Sequence, residues 1–420
     1  MISKPQDKKI VYIFGAGASK AFGYPLGKEF FHYAYRVKEF EINKSKKARH
    51  VTKLLDKVET LLPILYPQIC MKIPYSDSIN WPLFEEVYTF ITMLNANKYS
   101  PAFSGCKSSL NSYLHAFRDL IFCTLSTCAA YGWIGDDGIF SPKGLKNLSN
   151  KTINRINNLH FFKENYFKKF LEKALQGSMP TFISLNYDTL LDSQLNRCLE
   201  KNKTKTNYND PSIECLNYDY GFKVVNEKGK LQYGNKNILL LKPHGSLNLT
   251  FCERCKKFIW RLDSWYASMM NKRANCPCCK KYMNSPPLIP PLYGKNLESL
   301  QLAPEVTDKI KLIRDKIKDS IECAEHITIV GYSFPPYDYD FRYLFVEGLL
   351  RNPNKENIVI EVVDKEKDQA EIAVRQLKKK YAFLELMTPN VQYSYEGFLA
   401  YMSIRNGNKK VLEGIHGTDI

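Results

Sequence analysis

Short apolar runs recur along this chain, and each one stops at small or polar residues. Residues 9–14 (KIVYIF), Pro180–Leu185, Ile238–Leu241, His326–Val330 and Ile358–Val363 are such runs. They do not alternate polar with apolar, so they read as strands buried on both faces, as in a parallel sheet. Between the first and second run the period changes. Leu83, Val87, Phe90, Ile91 and Leu94, then Leu110, Leu114, Phe117, Ile121 and Leu125, recur at helical spacing. Breaks fall at Tyr66-Pro67 and at Tyr99-Ser100-Pro101. Residues 304–324 predict a charged amphipathic helix, Lys365 to Tyr381 another, and 395–404 a terminal one. Residues 203–237 are polar and rich in turn formers. Within them Asn226-Glu227-Lys228-Gly229 predicts a hairpin between Phe222–Val225 and Leu231–Tyr233.

Strands alternating with helices predict an α/β fold with a Rossmann-like parallel sheet. A stretch from Leu26 to Gln176 is too long for one strand-to-helix connection, so it predicts a helical subdomain inserted after the first unit. The expected division is 1–27, 178–250 and 285–390 for the sheet domain, 28–177 for the helical insertion, 251–284 for a small cysteine module, and 391–420 for a C-terminal helix and tail. No internal repeat or low-complexity segment is present.

The strand ends carry the candidate chemistry. The first strand runs into FGAGASKAFGYP, Phe14 to Pro25. A strand that ends in glycines and enters a helix presents backbone amides where a phosphate is held. Gly15 and Gly17 allow the tight turn, and Ser19 offers a hydroxyl donor. The pattern is G-A-G-A-S rather than G-x-G-x-x-G, so a plain strand-to-helix turn also fits it. The second strand ends in Asn186-Tyr187-Asp188, the third in Lys242-Pro243-His244-Gly245-Ser246, and the fourth in Gly331-Tyr332-Ser333 followed by Phe334-Pro335-Pro336. Asp364 closes the fifth, either to bond a ribose hydroxyl or to cap the next helix. In a parallel sheet these ends share one edge. Together they point to a dinucleotide in a crevice, with Asn186, Asp188 and His244 near its reactive end. Taken singly, Asn186 also fits a helix cap and His244 a satisfied core histidine. The Glu85-Glu86 pair reads as a solvated helix face.

Cysteine spacing adds a second site. Cys252-x-x-Cys255 and Cys276-x-x-Cys279 are separated by 20 residues. Four thiolates so spaced predict a structural tetrahedral Zn2+ site, with Cys278 a spare thiol next to one ligand. The remaining cysteines are scattered, as in a reducing compartment. Composition changes little else. The chain has 420 residues, 44% hydrophobic and 13% aromatic, enough for a sizeable core. Its net charge of +17 allows a basic face for nucleic acid, an anionic cofactor or an acidic partner. The lysines are spread rather than blocked, so nucleic acid is not expected as the main ligand. No run of membrane-spanning length occurs. The basic start followed by an apolar run is too short for a secretory leader, and a cytoplasmic protein is expected.

FGAGASKAFGYP, SLNYD, KPHGS, the paired CxxC motifs and GYSFPPYD, in that order, resemble the sirtuin family over most of residues 9–365. The resemblance implies NAD as ligand, with Gly15, Ala16, Gly17, Ala18, Ser19 and Pro25 around the pyrophosphate and Gly331, Ser333 and Asp364 on the adenosine side. It implies that Asn186 orients a water and the nicotinamide ribose, that Asp188 meets the nicotinamide amide, and that His244 is the general base. Deacylating sirtuins continue the glycine loop as G-I-P-D-F-R, whereas Leu26-Gly27-Lys28 follows Pro25 here. Their F-G-E segment is replaced by Pro286-Pro287-Leu288-Ile289-Pro290-Pro291. These departures are similar to the bacterial antiphage branch, whose members hydrolyse NAD to nicotinamide and ADP-ribose. That branch implies a homo-oligomer and an activator encoded separately, such as a HerA-type ATPase or a phage protein. A protein lysine deacylase and a non-catalytic binder of NAD or ADP-ribose are the alternatives.

Overall fold

The computed structural model describes residues 9–44, 50–66, 81–96, 110–130, 163–176, 180–199, 216–232, 234, 237–261, 275–283, 287–289, 302–366 and 368–406. Pro67, Tyr99-Ser100-Pro101, residues 203–215, Tyr233, Pro286, Pro290-Pro291 and 407–420 lie outside them.

The five apolar runs form β1 (Ile10–Phe14), β2 (Thr181–Ser184), β5 (Leu239–Leu241), β8 (His326–Val330) and β9 (Val359–Val363). They join in one six-stranded sheet of order β10-β9-β8-β1-β2-β5, and every neighbouring pair is parallel. The sixth member, β10 (Val391–Ser394), was predicted as tail. The sheet therefore extends past residue 390. An edge strand with one open side needs no continuous apolar run, and the VQYS sequence of β10 has none.

Alternation along β1 sorts two cores. Val11 and Ile13 pack with Ile183, Ile327, Ile329 and Ile360 on one face. The helices Pro304–Glu322 and Tyr339–Arg351 cover that face through Ile313, Ile317, Phe341 and Phe345. Tyr12 and Phe14 point to the other face, where Phe167, Phe170 and Phe398 meet them. Burial of these rings is the main driving term for docking the insertion onto the sheet.

The short α1 (Ala16–Lys20) belongs to the glycine loop, and the insertion follows with α2 (Phe30–Lys44), α3 (His50–Leu65), α4 (Phe84–Ala96), α5 (Leu110–Ala130) and a helix through 163–174. Helices α3, α4 and α5 pack side by side. Val87, Ile91, Leu114, Phe117 and Ile121 are buried as their spacing predicts, but Phe90 is 44% exposed.

A second sheet has the order β4-β3-β7-β6. The predicted hairpin supplies β3 (Val224–Val225) and β4 (Leu231–Gln232), and the cysteine region supplies β6 (Leu249–Cys252) and β7 (Lys257–Trp260). The terminal helix runs from Phe398 to Arg405, launched from Gly397 at φ 82°. Among the described residues no helix is long and apolar enough to cross a membrane.

Candidate active site

Sheet register brings the strand ends together. Phe14 pairs with Ser184 on one side and Val330 on the other, Val330 pairs with Val363, and Ile183 pairs with Leu241. The loops at 15–19, 186–188, 242–246, 331–338 and 364 therefore leave one edge of the sheet, where open α/β sheets bind ligands.

The glycine loop is stitched to its neighbour by backbone. Gly15 N–H donates to Val330 O and Gly17 N–H to Gly331 O, both at 2.9 Å. A Cβ on Gly15 would lie 2.6 Å from Gly331 O, so only glycine permits this approach. Gly331 itself has φ +60°. The glycines thus first allow two strand ends to interlock, and the amides of Gly15 and Gly17 are spent on that contact. Ala18 is buried against them and Ala16 is partly open. Pro25 is buried beyond the turn.

Asn186 reaches across to this loop. Its Nδ2 donates to Gly15 O and to Ser19 Oγ, both at 2.9 Å. It does not cap the next helix. Asp188 does so, accepting from Leu190 N–H at 3.0 Å. The Ser19 hydroxyl, expected to serve a phosphate, instead bonds the Asp188 carboxyl. Burial pushes that carboxyl up, while Lys242, Ser19 and the Leu190 amide pull it down. Lys242 is fully enclosed, with Nζ on Asp188 O at 2.5 Å and on Asp192 Oδ2 at 2.8 Å. Asp192 also accepts from Asn248 at 3.1 Å and from Tyr220. A buried charge pair with every oxygen engaged is rigid, and this one pins the second and third strand ends to each other.

His244 is 3% exposed. Its Nε2 lies 3.2 Å from Asp338 Oδ2, an oxygen that also accepts from Tyr332 O–H at 2.8 Å. An oxygen already accepting assigns the proton to Nε2, which leaves the lone pair on Nδ1. Nδ1 is buried and has no hydrogen-bond partner among the described residues. His244 is therefore not a satisfied core histidine. It is an oriented imidazole with its basic nitrogen unspent.

Residues 287–289 form a roof over it. Ile289 N–H donates to His244 O at 2.9 Å, Tyr187 O–H to Ile289 O at 2.8 Å, and Tyr88 O–H to Leu288 O at 2.7 Å. Arg118 Nε supports Tyr88 at 2.7 Å. The insertion thus reaches the site through α4 and α5.

Ser333 is exposed at the fourth strand end. Asp364 accepts from Lys380 and Tyr381, both at 2.7 Å, and from Lys365 N–H at 2.9 Å. It is no helix cap, because the following helix starts at Ala370 behind Gln369.

Two residues at the site carried no role in the sequence reading. Asp338 sat unremarked in GYSFPPYD. Glu85 was read as solvated, and the structure corrects this: it is 9% exposed while Glu86 is open. Burial first, and then the neighbouring Asp338 and Glu86, push its carboxyl up to about 8 against the pull of its own backbone amide.

The cysteine centre lies apart in the second sheet. Sγ atoms of Cys252, Cys255, Cys276 and Cys279 all fall within 4.8 Å of one another. Cys252 and Cys279 are 3.5 Å apart, and Cys255 and Cys276 3.6 Å. Tetrahedral ligation at ordinary Zn–S lengths sets neighbouring sulfurs about 3.8 Å apart, so the cluster fits such an ion. The two halves share one local geometry. Lys256 N–H donates to Cys252 O at 2.8 Å and Lys280 N–H to Cys276 O at 2.9 Å. Both lysines adopt positive φ, 55° and 58°. Cys278 is outside the cluster.

No family model and no curated protein matches the chain. Among solved structures it is similar to Sir2Tm bound to a propionylated peptide, at 11% identity over 96% of this chain and 95% of that one, with a TM-score of 0.33. A Sir2 complex with p53 peptide and NAD+ matches at 12% identity over 98% and 95%, also with a TM-score of 0.33. Likeness this faint says nothing of activity.

Proposed function

We infer that the chain is a sirtuin-like NAD+ hydrolase that cleaves NAD to nicotinamide and ADP-ribose. The observation that carries this reading is His244, held by Asp338 through one nitrogen and unspent at the other, one strand away from Asn186 and two from the glycine loop that Asn186 bonds. The C1′–N bond breaks with its electron pair moving to the pyridinium nitrogen, through an oxocarbenium-like state. Water adds to C1′, and its proton passes to His244 Nδ1. Asn186 orients the ribose and water. Gly15, Ala16, Gly17, Ala18, Ser19 and Pro25 line the pyrophosphate side, and Gly331, Ser333 and Asp364 the adenosine side. Asp188 meets the nicotinamide amide.

The roof favours hydrolysis over deacylation. A peptide substrate needs an extended groove between the cysteine module and the sheet. Residues 287–289 stand on that side, with backbone groups engaged by Tyr88, Tyr187 and His244. The same reading makes the protein a cytoplasmic, homo-oligomeric antiphage effector that depletes NAD when a HerA-type ATPase or a phage protein switches it on. The four cysteines hold a structural Zn2+. Elemental analysis is expected to return one zinc per chain, and a metal-free folded protein would remove that assignment.

The deciding experiment incubates purified protein with NAD alone and follows nicotinamide and ADP-ribose by chromatography. Both products are expected in equal amounts, with His244→Ala lower by roughly 10²-fold or more. Release that depends on an acyl-lysine peptide would replace this reading with the deacylase. Equal rates in His244→Ala would remove the mechanism.

A further inference from the structure

The loop that carries His244 is held from two sides. On one side Lys242 Nζ fixes it to Asp188 O and to Asp192. On the other, residues 287–289 lie directly against its backbone. Gly245 has φ +86°, and a Cβ placed there would fall 2.5 Å from Pro287 O, an approach that only glycine admits. One residue back, His244 O accepts from Ile289 N–H at 2.9 Å. The histidine is therefore anchored twice, at Nε2 by Asp338 and at its own peptide by the 287–289 segment. That segment belongs to no helix or strand, so side chains must fix it. Two phenols do so. Tyr187, from the second strand end, donates to Ile289 O at 2.8 Å. Tyr88, from α4 of the insertion, donates to Leu288 O at 2.7 Å. The Tyr88 oxygen in turn accepts from Arg118 Nε of α5 at 2.7 Å. A hydroxyl that accepts from a guanidinium is polarised and donates more strongly, and burial of Tyr88 and Leu288 keeps water from competing.

We propose that Tyr88, set by Arg118, is a positioning residue for His244: its bond to Leu288 fixes the segment that fixes the histidine's backbone, so the aim of Nδ1 depends on the helical insertion. This deepens the NAD-hydrolase reading and rests on it. Asp338 turns the ring, but the place from which the ring projects is set by the main chain at 244–245. Removing the Tyr88 hydroxyl leaves a buried Leu288 carbonyl without its donor. The segment then shifts toward another donor, and Pro287 O and Ile289 N–H, both in contact with residues 244–245, shift with it. A base displaced by about 1 Å loses much of its effect on the rate. The pyrophosphate side does not hang on this chain of bonds. Gly15, Ser19 and Asn186 are bonded to one another. Turnover, not NAD binding, is what the phenol governs.

The test compares NAD hydrolysis by wild type, Tyr88→Phe, Arg118→Gln and the double variant. Tyr88→Phe deletes the hydroxyl and keeps the ring against Phe117, whose centroid is 5.7 Å away. In Tyr88→Phe kcat is expected to fall about tenfold while KM stays within about twofold. Arg118→Gln loses less, and the double variant loses no more than Tyr88→Phe, because both act through one phenol oxygen. The second readout needs no turnover. Amide exchange at Ile289 is expected to quicken in Tyr88→Phe and the His244 ring resonances to move, both followed by NMR, while the amides of the cysteine module keep their wild-type exchange. A folded Tyr88→Phe protein with wild-type kcat, or with Ile289 exchange and His244 resonances unchanged, would overturn the proposal. Should Tyr88→Phe fail to fold, Arg118→Gln carries the same readouts. A wild-type protein that never cleaves NAD, but whose His244 resonances still answer to the phenol, would overturn the function and leave the placement of the histidine standing.

Discussion

Glu361, in β9, and Glu85, in α4, are buried to nearly the same degree, at 8% and 9% exposed. Around Glu361 stand Tyr401 O–H at 2.6 Å, Arg405 Nη2 at 2.7 Å and His326 Nε2 at 3.6 Å. Burial alone would raise its carboxyl, but these partners outweigh burial and bring it down to about 2. Among the described residues the charges that act on Glu85 are acidic, the buried Asp338 first and then Glu86. One site satisfies a charge and fastens the last helix to the sheet. The other withholds satisfaction, and a proton is what it gains. Equal exposure thus leaves two carboxyls in different states, and the sign of the neighbours decides which.

The sharpest way to break this contrast is Asp338→Asn. It keeps the shape and replaces the anion that holds His244 Nε2 by a neutral amide. Nicotinamide release is expected to fall by roughly 10²- to 10⁴-fold, while urea unfolding at pH 7 shifts little. A variant with near wild-type turnover would show that the imidazole needs no anion.

A smaller effect is expected from Glu361→Gln, and it is on stability rather than rate. The folded carboxyl is depressed below its usual value, so its contribution is complete above the ordinary glutamate range. It is lost as pH falls toward about 2. Wild type is therefore expected to exceed Glu361→Gln at pH 7 by roughly 1 kcal/mol, trimmed by solvent because Arg405 is half exposed. Below pH 4 the two should converge. Urea melts across that range measure the gap, and a gap independent of pH would mean that Glu361 acts through packing alone.

Legibility in the sequence followed how local each feature is. The central strands announced themselves because a strand buried on both faces must be apolar throughout. The cysteine module did so because all four ligands lie between Cys252 and Cys279, and the cluster also shows which of Cys278 and Cys279 belongs to it. Asp338 was hidden because its partner is 94 residues away and its own surroundings, SFPPYD, read as a turn. Glu85 carried a usable signal. Tyr88 and Thr92, at i+3 and i+7 from it, are both fully buried, so the three share an inward stripe of α4. The apolar positions alone drew the eye to the neighbouring stripe. The β3–β4 hairpin was visible, but its union with β7 was not, since a parallel pairing between Val225 and Ile259 leaves no local trace.

The tether between Tyr88 and the 287–289 segment turns the insertion into a lever. A push on the outer surface of α4 is delivered through one phenol to Leu288, and from the adjoining peptide to the carbonyl of His244. The stroke crosses only two residues of backbone. A molecule docking on the insertion therefore has a mechanical route to the imidazole without ever entering the crevice.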